Sequence, residues 1–193
     1  MRKIFAFALA AFVILMLAGC AAPQQSEEAS ESRPSGQSAD AGREIEQFGF
    51  VFTIPQGVTS NGIDDGIYDI DFGEIGQREA FIGINPPEDL TGKGNDETDL
   101  LQLCMEDMRQ GTQGYFENIT NDVMEIRELD GNPAGYIGMD CTIHGVPVYW
   151  QIYMAILDDT LYSFTIQVYT DAITEDTMAA IEQFITEMQI AGA

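Results

Sequence analysis

Few kinds of side chain in this 193-residue chain are able to do chemistry: three cysteines, one histidine, and 32 Asp or Glu against eight Lys or Arg. A thiol can carry a lipid, close a disulfide or act as a nucleophile, and its neighbours decide which. Cys20 closes the run Leu17-Ala18-Gly19-Cys20, at the end of an apolar segment from Ile4 to Leu17 that Arg2 and Lys3 lead into. A membrane-spanning helix needs about 20 apolar residues. This run is shorter and ends in the small residues a peptidase wants, so it reads as a cleaved export signal rather than an anchor helix. Cys104 and Cys141 remain. Export permits a disulfide between them, whereas their apolar neighbours suit two separate buried thiols. Sequence leaves both readings open.

Nucleophilic catalysis needs a Ser or Cys beside a base, and His144 sits in His144-Gly145-Val146, a hairpin tip with no nucleophile motif around it. It reads as a turn residue, and no catalytic residue and no enzyme activity is expected. The densest acidic stretch, Asn61 to Asp71, holds Asp64, Asp65, Asp69 and Asp71. Calcium wants several oxygens on a tight loop, but aligned on Gly66 the EF-hand positions fall on Ile63 and Phe72. Asp64 and Asp65 are the only metal candidates, against a solvated strand edge as the competing reading. No cofactor is expected. The methionines fall on apolar faces and read as core packing rather than copper ligands.

The elements that must position these groups follow from periodicity. Residues 1–19 form the signal, and residues 20–46 are Gln, Ser, Glu, Ala, Pro and Gly with almost no aliphatic side chain, a composition that stays disordered. Such a tether spans about 25–30 Å end to end. Residues 47–193 form one domain. Phe48, Phe50, Phe52 and Ile54 alternate as a strand ending at Pro55, followed by strands Ile67 to Phe72 and Glu79 to Asn85. Leu101, Cys104, Met105 and Met108 then repeat at helical spacing from about Glu97 to Gln110. Four strands follow, near Asp122 to Leu129, Ala134 to Ile143, Val146 to Leu157 and Leu161 to Tyr169, with turns at Asp130-Gly131-Asn132-Pro133, His144-Gly145 and Asp158-Asp159. Thr174 caps a last helix whose stripe is Met178, Ile181, Phe184, Ile185 and Met188. The predicted class is α+β: an antiparallel sheet of about six to seven strands flanked by helices. Cys104 on the first helix and Cys141 on the strand it would cover are placed so that the two sulfurs can approach.

Charge excludes one class of partner. The chain carries −24, and losing Arg2 and Lys3 with the signal takes the mature protein to −26. Nucleic acid needs a basic patch, which six scattered Arg and Lys do not make. The acidic surface suits a soluble domain held away from anionic headgroups.

Residues 1 to 20 resemble the leader and lipobox of a bacterial lipoprotein. That resemblance implies cleavage before Cys20, a diacylglycerol on its thiol, and a protein held on the extracytoplasmic face of the cell membrane. The second half, with Leu129-Asp130-Gly131-Asn132-Pro133-Ala134-Gly135, Tyr149-Trp150-Gln151-Ile152-Tyr153 and Asp158 to Thr165, resembles the Mog1/PsbP-like superfamily, as does Phe52-Thr53-Ile54-Pro55-Gln56-Gly57-Val58. The resemblance implies an α/β/α sandwich serving as a non-catalytic binding or assembly module for a protein or envelope component. It carries no ligand set, and the matching Gly131, Pro133, Ala134 and Tyr162 serve turn and core. A small-molecule or cation-binding lipoprotein working with a transporter is the alternative. A protein partner needs an exposed patch, for which Tyr149 and Tyr153 are the candidates if one sheet face is open; a solute needs an enclosed pocket.

Overall fold

Among the residues that the computed structural model describes, 42–55, 58–64, 66–73, 78–93 and 96–191, the chain forms eleven strands and two helices. In chain order these are β1 (Glu44–Gln47), β2 (Phe50–Thr53), β3 (Thr59–Asp64), β4 (Ile67–Phe72), β5 (Ala80–Ile84), β6 (Glu88–Asp89), α1 (Glu97–Thr112), β7 (Glu117–Leu129), β8 (Asn132–Ile143), β9 (Val146–Leu157), β10 (Thr160–Tyr169), α2 (Glu175–Glu187) and β11 (Gln189–Ile190). Neither helix is long and apolar enough to cross a membrane.

The meander β7 to β10 is set by three two-residue turns. Asp130-Gly131, His144-Gly145 and Asp158-Asp159 all take positive φ at both positions, as tight hairpins that match the strand twist require. Each turn closes its rung directly: Leu129 on Asn132, Ile143 on Val146, Leu157 on Thr160. On the far side of β10 the sheet continues through β5 and β4 to β3, and β6 pairs the start of β10, making eight antiparallel strands. Edge strand β7 is interrupted by two register shifts, with Asn118 and Asn121 at positive φ, devices that blunt an open edge.

Each face of this sheet has its own core. On the back face Ile137, Met139, Val148, Trp150, Ile152 and Met154 are buried under α1, whose Leu100, Leu101, Cys104 and Met105 point inward. Asp96 caps α1 by accepting from the Asp99 N–H at 2.9 Å. On the front face Tyr68, Ile70, Ile82, Phe164 and Ile166 are buried with Ile181 and Phe184 of α2 and with Phe50 and Phe52 of β2. Thr174 caps α2 and also donates to Glu79, tying the helix start to the edge of β5.

Two expectations are corrected. The sheet has eight strands rather than six to seven, and the Phe50 strand lies outside it, in a separate sheet of order β1-β2-β11 that shares the front layer with α2. Its alternating Phe50, Phe52 and Ile54 bury one face, as their period demands, but against the larger sheet instead of within it. The folded chain also begins before residue 47: the Gly42 N–H donates to Ile54 O at 2.9 Å, and Ile45 of β1 packs on the core while Glu44 and Glu46 stay exposed. The signal, Cys20 and nearly all of the tether lie outside the described residues.

Candidate functional site

The two domain cysteines are free buried thiols, not a disulfide. The helix does cover the strand that bears Cys141, yet the sulfurs do not meet. Met105 reaches to 2.6 Å from where a Gly135 side chain would start, which seats this part of α1 over the beginning of β8. Cys141 is six strand residues further on, about 20 Å. A disulfide needs Cα atoms within about 7 Å. Cys104 instead sits in the field of Glu88, Asp107 and Lys93, and Cys141 in that of Asp140. Burial, then those carboxylates, pushes both thiols up to about 11 from an ordinary 9. The folded state therefore holds these protons longer than the unfolded chain. The stability they support is complete below about pH 9 and is lost as pH rises towards 11. Cys104 and Cys141 should both react as free thiols after denaturation without reductant, and slowly while folded; finding neither free contradicts the structure.

Asp64 lies exposed at the end of edge strand β3, and Asp65 is outside the described residues. Among the described residues no three His, Cys, Asp or Glu side chains are grouped as a metal ion would need. Asp71 is engaged within the fold, accepting from Asn61 Nδ2 and Arg78 Nη2, each at 2.8 Å. His144 is exposed at the tip of the β8–β9 hairpin.

Tyr153, expected as part of an open patch, is in the front core, its ring stacked on Phe164 with centroids 5.0 Å apart. The layer of β1, β2, β11 and α2 closes what sequence left open. Around it is a polar network that sequence reasoning missed. Tyr136 and Tyr149 share a 2.6 Å hydroxyl hydrogen bond, and Tyr136 also donates to Gln151 Oε1 at 3.3 Å. The Arg127 guanidinium lies 3.3 Å from the centroid of the Tyr136 ring and donates to Tyr153 Oη at 3.1 Å and to Glu125 Oε1 at 2.8 Å. Burial, and then Tyr149, raises Tyr136 far above an ordinary phenol, so it stays protonated. Held protonated and hydrogen-bonded, Tyr136 is neither a base nor a nucleophile; its bond to Tyr149 ties β8 to β9. Gln151 between Tyr149 and Tyr153 at period two was the available signal, a lone amide on a core face.

Gly138 makes the network fit, because a Cβ there would collide with both the Tyr136 and Tyr149 hydroxyls. Gly138→Ala is expected to cost about 1–3 kcal/mol by overpacking, read as a lower urea midpoint with unchanged slope. An unchanged midpoint would mean that the two tyrosines move apart freely.

Four of the basic side chains are committed to carboxylates of the fold: Arg78 to Asp71, Lys93 to Glu88, Arg109 to Asp122 and Arg127 to Glu125. These are partly exposed pairs, each worth at most about 1 kcal/mol. Their larger effect is to leave the outer surface dominated by acids.

No family model matches the chain, and no curated protein does. Solved structures do match it. CyanoP, the cyanobacterial PsbP of Synechocystis sp. PCC 6803, is similar over 83% of this chain and 98% of its own, with TM-score 0.50 and 14% identity. A protein of Bacteroides thetaiotaomicron VPI-5482 is similar over 78% of this chain and 48% of its own, with TM-score 0.50 and 11% identity. LpqN, involved in cell envelope biogenesis of Mycobacterium tuberculosis, matches over 79% of this chain and 87% of its own, with TM-score 0.47 and 11% identity. At such identities the likeness to CyanoP is one of fold, and it agrees with the α+β, PsbP-like architecture expected from sequence.

Proposed function

We propose that this chain is an extracytoplasmic lipoprotein, anchored to a cell membrane through acylated Cys20, whose domain acts as a non-catalytic binding or assembly module for a protein or envelope component. One observation carries the reading: a basic start, the apolar run from Ile4 to Leu17, Leu17-Ala18-Gly19-Cys20, and then a polar stretch ahead of the first strand. A leader of that order delivers a thiol to the point of cleavage, and a tether separates it from the fold. The absence of catalysis is inferred from chemistry: the two domain thiols are buried and protonated, His144 stands alone on a turn, and the tyrosine network is spent on structure. The mature protein meets membrane through its lipid and meets its partner through the acidic domain. Crosslinking in intact cells followed by capture of the protein tests the module reading. A reproducible protein or envelope partner is the expected result; a bound solute with no partner contradicts it.

A further inference from the structure

We propose that the second half of β7, Val123 to Leu129, is a dimerisation edge, on which a second copy of this chain pairs antiparallel with Ile126 facing Ile126; this goes beyond the proposed function and does not depend on the anchor. β7 stands at one end of the eight-strand order, and no described strand pairs its outer side. The two register shifts that blunt this edge fall between Glu117 and Val123. From Val123 to Leu129 the ladder is regular, stepping one for one along β8 from Gly138 to Asn132. Two aliphatic side chains stand exposed on this half, Ile126 at 51% and Val123 at 40%. A regular edge with exposed aliphatics is what a monomer avoids.

The turn decides which backbone groups of the edge are free. In a two-residue hairpin the Asn132 N–H donates to the Leu129 C=O, so Leu129 turns its backbone groups towards β8. Hydrogen-bonded and non-hydrogen-bonded pairs alternate, so Arg127, Glu125 and Val123 do the same, and Met124, Ile126 and Glu128 present N–H and C=O outwards. Pro133 agrees with this assignment, since it stands opposite Glu128, where β8 has no N–H to give.

The sequence of this edge is complementary to itself. Set antiparallel about Ile126, two copies bring Ile126 onto Ile126 and each Met124 onto the partner's Glu128, three hydrogen-bonded pairs that use every one of those outward groups. In the closer pairs between them, each Glu125 stands opposite the partner's Arg127. Arg127 already donates to Glu125 of its own chain at 2.8 Å, so pairing closes a ring of four alternating charges. Moving the register one step either way, while keeping the hydrogen bonding, sets Glu125 against Glu125 or Arg127 against Arg127, like charges directly opposite. One register is therefore selected, with two-fold symmetry. Past its ends Asp122 comes opposite Asp130, but there the register shift and the turn end the ladder, and these carboxylates are engaged with Arg109 and with the Ile190 N–H.

The two α1 helices do not collide in this arrangement. Each lies over β8 and β9, which puts them four strand spacings apart, about 19 Å, against the roughly 8–10 Å of packed helices. Repulsion between two chains of net charge −24 is screened beyond about 8 Å at physiological salt, so the charges at the contact decide, and those are paired.

The test is a thiol placed on the two-fold axis, where the Cα atoms of a hydrogen-bonded pair are about 5.5 Å apart, within disulfide reach. Intact cells making the full-length chain with Ile126→Cys are treated with copper phenanthroline as oxidant, beside the unsubstituted chain and Ile63→Cys, which is similarly exposed on the far edge β3. Ile126→Cys should give a reducible band at twice the mass of the chain, and the two controls should not. Adding Glu125→Arg, which sets a second cation against Arg127, should abolish that band. No dimer at position 126, an equal dimer at 63, a dimer that survives Glu125→Arg, or a different protein linked at 126 overturns the pairing.

Discussion

Replacing Trp150 by alanine should cost the domain about 3–5 kcal/mol, a fifth or more of the whole stability of a typical domain. Trp150 is 1% exposed, stands on the back face of β9, and carries the edge of Phe116 at 5.3 Å between ring centroids. Its rung joins Met139 on one side and Gln167 on the other, so the indole lies where α1, the α1–β7 link and the sheet converge. No nearby side chain can fill the space, because Met139 and Ile152 are themselves fully buried in place. The loss should appear as a lower denaturant midpoint by circular dichroism, which does not depend on the fluorophore removed. A cost below about 1 kcal/mol would mean that α1 is not packed on this face.

Cys20→Ala should abolish stable membrane retention or halt maturation with the leader still attached. Each buried methylene contributes about 0.8 kcal/mol, so on the proposed reading the acyl chains on this one cysteine would be the anchor, and an acidic domain offers no replacement for them. Fractionation and immunoblotting read both outcomes: a soluble domain, or a larger precursor in the membrane. A mature-size protein still sedimenting with membranes would remove the anchor reading.

Much of the fold was legible because its signals are local. Asp130-Gly131-Asn132-Pro133, His144-Gly145 and Asp158-Asp159 announce the three hairpins, and all three close on two residues, Asn132 and Pro133 having joined β8. The α1 stripe of Leu101, Cys104 and Met105 is buried as its spacing predicts. Thr174 caps α2 and Met188 closes its apolar stripe, buried beside Phe184. What was missed depends on pairing across the chain. β3 is Thr-Ser-Asn-Gly-Ile-Asp, with one apolar residue, Ile63, pointing outward at 57% exposure; it is a strand because β4 offers it an edge. β6 and β11 are two residues each, too short for any period to show.

The same limit explains the site. Whether Cys104 meets Cys141 depends on where along β8 the helix comes down, and spacing within α1 says nothing about that. Tyr153 looked available because the alternation of β9 shows two apolar faces without showing what covers them. Arg127 reaches Tyr136 and Tyr153 from a neighbouring strand and from one beyond it, a contact that only the register of β7, β8 and β9 creates. Cys20, in contrast, is read wholly from its neighbours, and it lies outside the described residues.

The central claim is therefore tested most directly at that cysteine, by the intact mass of the mature protein extracted from membranes, with a fragment mass locating its first residue. The account predicts a chain that begins at Cys20 and carries a diacylglycerol on Sγ. A mature chain with an unmodified Cys20 thiol, or one that begins at any other residue, would contradict it.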